Sequence, residues 1–412
     1  MTSALIVAES LPFPAAKGGD LRTWQNLNAL ASVVPAGVFG LCANDGRRHH
    51  RPDLALTCWS ASSDPALAWP PPVGPKLQGR AWLLDPHGHP SDLYVSNVAA
   101  EELASLLERL RPSVVVMEGL WLHGYLDVVR AAGCQIILDC HNVEAAVFRE
   151  VAATSTRDDF EGRVIRDVLP ARTEAIERRA VCAVDQLWVC SEADADRLRT
   201  LYDPPAPIMV IPNTIPLDAY AMRPAAPRPA AGSTTPPTLV FPGIFAYLPN
   251  AFAARFLVDS VLPRLAAACG DCRLWLVGPL PPADLVTAAA RDPRITVTGP
   301  VPDVRPYLAA ATAMAVPLFH GGGTRLKILE AFATGLPVIS TAKGAEGLGA
   351  CHGTHLLLAE TAEDFVRALL ALRDEPQLAD RLAAHARHLV SREFSWAAVG
   401  GRIERAVTAL AG

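Results

Sequence analysis

The sequence predicts an α/β protein in which two Rossmann-like, doubly wound domains face each other across a cleft. Short, almost wholly apolar runs recur along the chain, and each is followed by a helical pattern. Such runs suit strands that a parallel sheet buries on both faces, and their alternation with helices is typical of the doubly wound class. The chain has 412 residues, and a proline-rich break lies near its middle. At roughly 100–200 residues per domain, this length fits two domains.

The apolar runs form two series of candidate strands. In the first half of the chain they are Leu5–Ala8, Val114–Met117, Ile136–Asp139 and Gln186–Cys190, followed by a strand-like Ile208–Ile211. In the second half they are Thr238–Phe241, Arg273–Val277, Ile295–Thr298, Ala313–Pro317 and Pro337–Ser340. The helical patterns between them include Ala99–Arg111 and Ile165–Val184. No basic segment precedes the first run, which therefore predicts a strand and not a signal peptide.

A change of composition separates the two series. Residues 223–237 are crowded with proline, alanine, glycine, serine and threonine, which is the composition of a linker. We therefore expect an N-terminal domain over 1–215, a linker over 216–237, a C-terminal domain over 238–390 and a last helix within 391–412. In open α/β sheets, ligands bind beyond the carboxyl ends of the strands. The residues that directly follow strands are therefore the candidates for a functional site.

The bulk properties exclude several classes of protein. The net charge of −5 and the pI near 6.1 give no global electrostatic footprint for nucleic acid. The basic stretch Arg47–Arg51 is either a solvated loop or a site for an anionic acceptor or membrane surface. Cys269 and Cys272 form a lone CxxC without a second pair, which favours reduced thiols in a loop. No run approaches the roughly 20 apolar residues of a spanning helix. We expect a cytoplasmic protein, and association with a membrane stays open.

The segment 321–330, Gly-Gly-Gly-Thr-Arg-Leu-Lys-Ile-Leu-Glu, carries the strongest chemical signal. It follows a predicted strand and enters a helix predicted over Leu326–Thr334. Gly321, Gly322 and Gly323 let the backbone approach a ligand closely. The start of the helix offers unpaired N–H groups and a partial positive charge, and Thr324 stands at the expected N-cap.

Arg325 and Lys327 place two positive charges where the helix dipole disfavours them. This conflict indicates a bound anion, and a diphosphate fits best because arginine binds it in a bidentate way and lysine as a point charge. The spacing matches neither a Walker A loop nor a GxGxxG fingerprint, and a purely structural helix entry is the alternative. Glu330 is a candidate for two ribose hydroxyls or for a surface pair with Lys327. Glu346 follows the next strand and either contacts sugar or ribose hydroxyls or is solvated.

The second half of the chain resembles glycosyltransferase family 4, the group 1 type of the retaining GT-B class. The resemblance spans about residues 238–396 and rests on these segments in order: FPG…LPN, LWLVGP, ITVTGPVPDVRPYLAAA, VPLFHGGGTRLKILEAFATGLPVISTAKGAEGL and FSW. The first half resembles the family more loosely, through LPFPAAKGGDLRT, LDCHNVEA and VCSEADADRL.

The resemblance implies roles for the matched positions of the second half. Glu330 matches the second Glu of the family's E-x7-E motif, which binds ribose, and Gly322 stands where the first Glu touches the donor sugar in many members. The amides of 321–324, or Glu346, would take over that contact. Members also carry an Arg and a Lys near the loop that begins at Gly243. This loop lacks both, and Arg325 and Lys327 are the substitutes.

In the first half, the resemblance implies that the amides of Gly18 and Gly19 approach the diphosphate. From the residues alone, a flexible turn is the alternative interpretation. It also implies that His141 contacts the donor sugar near the reacting carbon. Without the resemblance, a lone His such as this one is more often structural. Asn142 and Glu144 are weaker candidates for acceptor contact and helix capping. The acceptor is expected at the loops of 44–95, 119–125 and 143–172. For Trp121, His123 and Tyr125 in these loops, two interpretations are open. They stack on a sugar or another ring of the acceptor, or they belong to the core.

The activity implied is that of a hexosyltransferase of class EC 2.4, as in polysaccharide biosynthesis. It would use no cofactor, and it would need no metal because Arg325 and Lys327 would stabilise the charge of the diphosphate. No Asp-x-Asp with ligand context lies near the glycine loop, which agrees with this expectation. A sugar would pass with retention from a nucleotide-diphosphate-sugar, UDP- or GDP-linked in the first instance, to a carbohydrate, lipid-linked or small-molecule hydroxyl. The last helix would cross back to brace the first domain. The alternatives are a catalytically silent nucleotide-sugar-binding or partner subunit and a GT-B-type nucleotide-sugar epimerase.

Overall fold

The computed structural model describes residues 3–14, 18–42, 50–67, 82–154, 160–220, 236–322 and 325–411. It divides into two compact units. The first unit comprises Met1–Thr214 together with Val399–Gly412, and the second comprises Ile215–Ala398. Most of the predicted linker, residues 221–235, lies outside the described residues.

The first unit contains a seven-stranded parallel sheet with the order β3-β2-β1-β4-β5-β6-β7. Its strands are β1 Ala4–Ser10, β2 Ala36–Cys42, β3 Cys58–Ala61, β4 Val114–Glu118, β5 Gln135–Cys140, β6 Gln186–Val189 and β7 Ile208–Val210. Its helices are α1 Gly18–Val33, α2 Asn97–Leu110, α3 Leu126–Ala131, α4 Glu144–Thr154, α5 Phe160–Arg163, α6 Leu169–Val181 and α7 Glu192–Tyr202. A π-helical turn, Val164–Val168, joins α5 to α6.

The second unit contains a six-stranded parallel sheet with the order β10-β9-β8-β11-β12-β13. Its strands are β8 Thr238–Pro242, β9 Arg273–Val277, β10 Ile295–Val297, β11 Ala313–Val316, β12 Val338–Ser340 and β13 Leu357–Leu358. Its helices are α8 Leu248–Phe256, α9 Leu262–Cys269, α10 Ala283–Arg291, α11 Arg305–Ala310, α12 Leu326–Thr334, α13 Ala362–Asp374 and α14 Pro376–Glu393. The last helix of the chain is α15 Trp396–Ala411. The prediction of two Rossmann-like, doubly wound α/β domains is confirmed.

Strand β1 shows why these apolar runs form central strands. Successive side chains of a strand point to opposite faces of the sheet. Leu5 and Val7 pack into a cluster on one face, and Ile6 and Ala8 pack into a different cluster on the other. A strand that is buried on both faces has to be apolar at every position, which is the pattern that the sequence shows.

Three strands escaped the sequence prediction, namely β2, β3 and β13. Strand β2 contains Gly37 and Gly40, which weaken the strand pattern. Both glycines serve close packing, since a Cβ on Gly37 would lie 2.8 Å from Thr57 Oγ1, and one on Gly40 would lie 2.9 Å from the Leu11 nitrogen. Strand β13 is only two residues long. Backbone packing therefore overrides side-chain pattern at these positions.

Helix α15 completes the core of the first unit. Val399, Ile403, Ala406 and Val407 are buried in the cluster that contains Ile6 of β1. The backbone carbonyl of Ala406 also accepts a hydrogen bond of 3.1 Å from the side chain of buried Gln186 in β6. The first unit therefore depends on residues from both ends of the sequence.

We predict that Ile403→Ala destabilises the first unit by about 2–4 kcal/mol, because it leaves a cavity in a fully buried cluster. Urea denaturation followed by tryptophan fluorescence measures the change. Glu404→Ala, one residue along on the exposed side of the same helix, is the control and should change the free energy of unfolding by less than about 0.5 kcal/mol. Equal effects of the two substitutions would contradict the packing described for α15.

Candidate functional site

In the second unit, three segments that follow strand ends meet around two cations, namely the loop at Gly243, the loop at Gly321 and the start of a helix. Gly243 directly follows β8, and Gly321 and Gly322 lie between β11 and α12. Strands β8 and β11 are neighbours in the parallel sheet, so their carboxyl ends meet at one edge. Arg325 and Lys327 lie at the start of α12. We call this group of Gly243, Gly321, Arg325 and Lys327 the cationic centre.

Lys327 is held by an amide and an aromatic ring. Its Nζ donates a hydrogen bond of 2.9 Å to Asn250 Oδ1 and lies 4.0 Å from the ring centroid of Phe241. A Cβ on Gly243 would lie 3.1 Å from the same Nζ, so this loop and this ammonium group are immediate neighbours. Burial and the charge of Arg325 lower the pKa of Lys327 to about 7, against the opposing effect of Glu330. The group is therefore partly deprotonated near neutral pH.

Arg325 is a buried cation whose guanidinium is only partly satisfied. The residue is 9% exposed, and its Nη1 donates to the carbonyl of Gly322. Its Nε and Nη2 have no hydrogen-bond partner among the residues that the structure describes. Such groups cost free energy when they are buried, and their presence in a native fold points to an unseen partner. Since the donors are cationic, that partner should be an anion.

The glycine loop packs directly against this guanidinium. Gly321 has φ +106°, a conformation that side chains disfavour. A Cβ at this position would lie 3.1 Å from Arg325 Nη2 and 3.0 Å from the hydroxyl of Tyr247. Glycine at 321 is therefore required both by the backbone and by the space that Arg325 occupies.

The structure corrects the predicted N-cap of α12. The helix begins at Leu326, so the N-cap position belongs to Arg325 and not to Thr324. Arg325 makes no side-chain capping hydrogen bond, because an arginine has no acceptor atom to offer. Gly323 and Thr324 lie outside the described residues. The first N–H groups of α12 thus have no capping side chain from residue 325.

Glu330, the predicted ribose ligand, lies one turn further along α12. Its Oε1 accepts a hydrogen bond of 2.7 Å from the hydroxyl of Tyr220. Burial raises the pKa of Glu330, and the bond from Tyr220 and the charge of Lys327 oppose this effect. Glu346 follows β12 and forms an ion pair of 3.1 Å with Lys343. The structure therefore places Glu330 on the helix of the cationic centre and gives Glu346 a neighbouring cation.

In the first unit, His141 belongs to a buried polar network. His141 follows β5, and its Nε2 lies 3.0 Å from Glu118 Oε2 at the end of β4. Asp139, also in β5, is paired with Arg22 of α1 through both carboxylate oxygens. Asn26 of α1 donates to Glu118 at 2.9 Å and to Asp139 at 2.8 Å. We call these five residues the His141 network.

The network sets the charge of the imidazole. Burial alone would lower the pKa of His141, but the hydrogen bond to Glu118 and the charge of Asp139 outweigh it, so the pKa is raised. Burial and the charge of Asp139 raise the pKa of Glu118. The pKa of Asp139 is lowered, since the charge and hydrogen bonds of Arg22 exceed the effect of burial. The carboxylate neighbours thus favour the cationic form of His141.

Two glycines line the ring of His141. A Cβ on Gly19, in the first turn of α1, would lie 4.0 Å from His141 Cε1, and one on Gly119 would lie 4.0 Å from Nδ1. The side chain of His141 is 29% exposed. The Nδ1 edge is therefore the one that the carboxylates do not use. Gly18 and Gly19 form the start of α1, next to this ring.

Glu118, Asp139 and His141 are also the group among the described residues whose ligand atoms come close enough to hold a metal ion, within 4.8 Å of one another. The contacts of the group favour a hydrogen-bonded network instead. Arg22 occupies both oxygens of Asp139, and His141 Nε2 bonds to Glu118. A cation is thus already present where a metal would bind.

The three aromatic residues predicted to contact the acceptor have different surroundings. Tyr125 is fully buried and donates a hydrogen bond of 2.7 Å to the carbonyl of Tyr94, so it belongs to the core. Trp121 stacks on His89, with the ring centroids 5.4 Å apart. His123 bonds to Ser91 at 3.0 Å. Of the basic stretch Arg47–Arg51, residues 47–49 lie outside the described part of the chain.

Sequence reasoning missed the partners of the predicted site residues. Tyr220 falls in the predicted linker, where no pattern indicated a functional side chain. Asn250 ends the LPN motif, which gave no indication that its side chain accepts a hydrogen bond from Lys327. Arg22 and Glu118 gave a weak signal, because charged residues in apolar segments are costly unless they are paired. That signal could have found them.

Comparison with known proteins assigns the class of both units. Residues 41–214 match the model of a glycosyl transferase 4-like domain, and residues 236–375 match the model of glycosyl transferases group 1. The chain is therefore composed of the two domains of a GT-B glycosyltransferase, and glycosyl transfer is the general class of its activity. No curated protein sequence matches the chain significantly.

Solved structures of low sequence identity share the whole fold. Sucrose-phosphate synthase from Thermosynechococcus elongatus is 18% identical, with a TM-score of 0.72 over 99% of this chain and 100% of that one. HepE of Anabaena in complex with UDP-glucose is 12% identical, with a TM-score of 0.67 over 98% and 99%. The trehalose 6-phosphate synthase of Burkholderia multivorans is 16% identical, with a TM-score of 0.64 over 100% and 97%. None of the described helices combines the length and the apolarity needed to cross a membrane.

We predict that Glu118→Gln lowers the pKa of His141, because the substitution removes the carboxylate that favours the imidazolium. Titration of the histidine side chains by NMR measures the shift. His355 in the second unit, whose pKa is lowered by burial, is the internal reference and should not change. An unchanged titration of His141 in the variant would show that Glu118 does not set its charge.

Proposed function

We propose that the protein transfers a sugar from a nucleotide-diphosphate-sugar to an acceptor hydroxyl with retention of the anomeric configuration. The donor diphosphate binds at the cationic centre, and the ribose binds at Glu330. The acceptor is a carbohydrate, a lipid-linked glycan or a small molecule, bound by the first unit. The matches of the two domains support glycosyl transfer in general, and this proposal adds the donor, the acceptor and the stereochemistry.

The observation that carries the proposal is the unsatisfied guanidinium of Arg325. Burial of a cation costs several kcal/mol unless it is paired and hydrogen-bonded. Here two N–H groups of a residue that is 9% exposed lack a partner within the described part of the chain. A diphosphate oxygen supplies both the charge and the acceptor lone pairs, and the planar guanidinium can bind it through two parallel bonds.

Lys327 supports the same assignment. Its lowered pKa means that the ammonium form lacks compensation in the unliganded site, although Asn250 and Phe241 hold its position. A bound dianion would restore the proton and add a second cationic contact. The start of α12, where both cations lie, contributes a partial positive charge that favours the same anion.

The assignment of a nucleotide donor also draws on the structural relatives. HepE of Anabaena was solved with UDP and with UDP-glucose. A UDP- or GDP-linked sugar is accordingly the first donor to test, with the ribose at Glu330 and the sugar near the amides of 321–324 or Glu346. In the first unit, we assign His141 to the donor sugar and Gly18 and Gly19 to the diphosphate.

In the proposed reaction, the bond between the anomeric carbon and the diphosphate breaks while the acceptor oxygen bonds to the same face of the sugar. The departing phosphate oxygen takes the proton of the acceptor hydroxyl, so no side-chain base is needed. Negative charge grows on the diphosphate as it leaves. Arg325 and Lys327 stabilise that charge in a site of low dielectric constant, where fixed cations act most strongly.

Gly322 favours one alternative, a nucleotide-sugar-binding subunit without turnover, because a glycine stands where many family members have a glutamate. Transfer, silent binding and epimerisation differ in what they release. Transfer releases nucleotide only when acceptor is present, whereas a silent subunit releases none. An epimerase changes the sugar without any acceptor.

We predict that Arg325→Ala combined with Lys327→Ala weakens donor binding on the order of 10²–10⁴-fold, since two charge-assisted contacts are lost. Calorimetry with a panel of UDP-, GDP-, ADP- and dTDP-sugars measures the affinity, and nucleotide release with an acceptor panel measures turnover. Arg255→Ala, which removes an exposed arginine paired with Asp284 in the same unit, is the control and should bind as the wild type does. Intact transfer from every donor in the double variant would overturn the diphosphate assignment.

A further inference from the structure

The segment Ile215–Tyr220, which leads into the predicted linker, is anchored to the second unit. Ile215 is fully buried in the core of that unit, and its N–H donates to the carbonyl of Phe394 at 3.2 Å. Arg305 Nη1 donates to the carbonyl of Ala219 at 2.7 Å. Arg305 is itself held by Asp303 at 2.9 Å. The segment is therefore fixed by apolar burial and by backbone contacts on both sides.

This anchoring places the phenol of Tyr220 on Glu330. Tyr220 is 9% exposed, and its hydroxyl donates to Glu330 Oε1 at 2.7 Å. A carboxylate has about four acceptor positions, and the phenol takes one of them. Within the described part of the chain no other donor bonds to this carboxylate, so both positions of Oε2 and one of Oε1 remain for a ligand. The bond therefore fixes the orientation of the carboxylate without exhausting its capacity.

We propose that Tyr220 is a positioning residue for Glu330, and that it makes the nucleotide site select ribose over 2′-deoxyribose. The inference rests on the proposed function, in which Glu330 receives the ribose hydroxyls. Tyr220 bonds to the carboxylate and acts through it.

The selectivity follows from the cost of an unpaired acceptor. A ribose presents two adjacent hydroxyl donors, and a fixed carboxylate can accept from both. A 2′-deoxyribose leaves one acceptor position of this half-buried carboxylate empty, and sites built to bond a hydroxyl reject analogues that lack it for this reason. A carboxylate that is free to rotate could turn towards the remaining 3′-hydroxyl and recover part of the loss. The Tyr220 bond prevents this rotation.

The test compares nucleotide affinities of the wild type and Tyr220→Phe. Calorimetry with UDP, GDP and ADP and with their 2′-deoxy counterparts gives the ratio of ribose to deoxyribose affinity. We expect the variant to bind the ribonucleotide roughly three- to tenfold more weakly, as for the loss of one hydrogen bond to a charged site, and the deoxynucleotide within about twofold of the wild type. The selectivity of the wild type is thereby largely lost. An unchanged ratio would overturn the inference.

Three controls separate positioning from a general structural effect. Tyr307→Phe removes a phenol from the same unit, at a ring that packs on Trp275, and should leave the ratio unchanged. In a Glu330→Gln background, Tyr220→Phe should cause no further loss of selectivity. If Tyr220→Phe melts early, Arg305→Ala loosens the segment at Ala219 without removing the phenol or Glu330, and a partial loss of the same selectivity is expected.

The outcomes also distinguish this inference from the proposed function. If the wild type binds none of the nucleotides, the proposed function and the inference both fail. If the wild type binds and Arg325→Ala weakens binding, but Tyr220→Phe leaves the ratio intact, the inference alone fails. Retained selectivity in Glu330→Gln would likewise refute the role of Tyr220 while the diphosphate assignment stands.

Discussion

The proposed function of the second unit depends on two cations at the start of α12 that form no ion pair with an acidic side chain among the described residues. Arg325 and Lys327 lie close enough for the charge of one to lower the pKa of the other, at the end of a helix that carries a partial positive charge. Core packing tolerates this arrangement, since Ile328, Leu329, Ala331 and Phe332 of the same helix are fully buried. The free energy of that packing holds two cations where they would not otherwise stay. Because core packing already offsets the cost of placing the two cations there, an anion that binds gains their electrostatic attraction without that cost.

Arg22 in the first unit is a buried arginine whose guanidinium is paired with groups of the protein. Arg22 is 2% exposed, and it bonds to both oxygens of Asp139, to the carbonyl of Ile211 at 2.9 Å and to Asn213 at 2.8 Å. Arg325, which is almost as buried, has one bond within the described part of the chain. Arg22 therefore finds its partners within the first unit, whereas Arg325, in the proposed function, finds its partner in the donor diphosphate.

The sequence predicted what depends on local pattern and missed what depends on contact between distant residues. The strand β9 and the helix α12 have the predicted bounds, because an apolar run or a glycine entry followed by a helical pattern is a local signal. The partners of the site were not predictable in this way. Tyr220 reaches Glu330 across 110 positions and Arg22 reaches Asp139 across 117, and no pattern within a short window records such pairs. Thr324 was the wrong N-cap for a different reason, since a helix that begins at Leu326, as predicted, has residue 325 at its N-cap position.

Proton uptake on donor binding tests the central claim most directly. The pKa of Lys327 is lowered to about 7 in the unliganded site, so the lysine is mostly neutral at pH 8 and must regain its proton when a diphosphate binds. Calorimetry at pH 8 in two buffers of different ionisation enthalpy, with the sugar nucleotide that binds tightest, should show uptake of roughly 0.9 proton per site. The uptake should disappear in Lys327→Met. Binding that takes up no proton, or equal uptake in the variant, would contradict a diphosphate at the cationic centre.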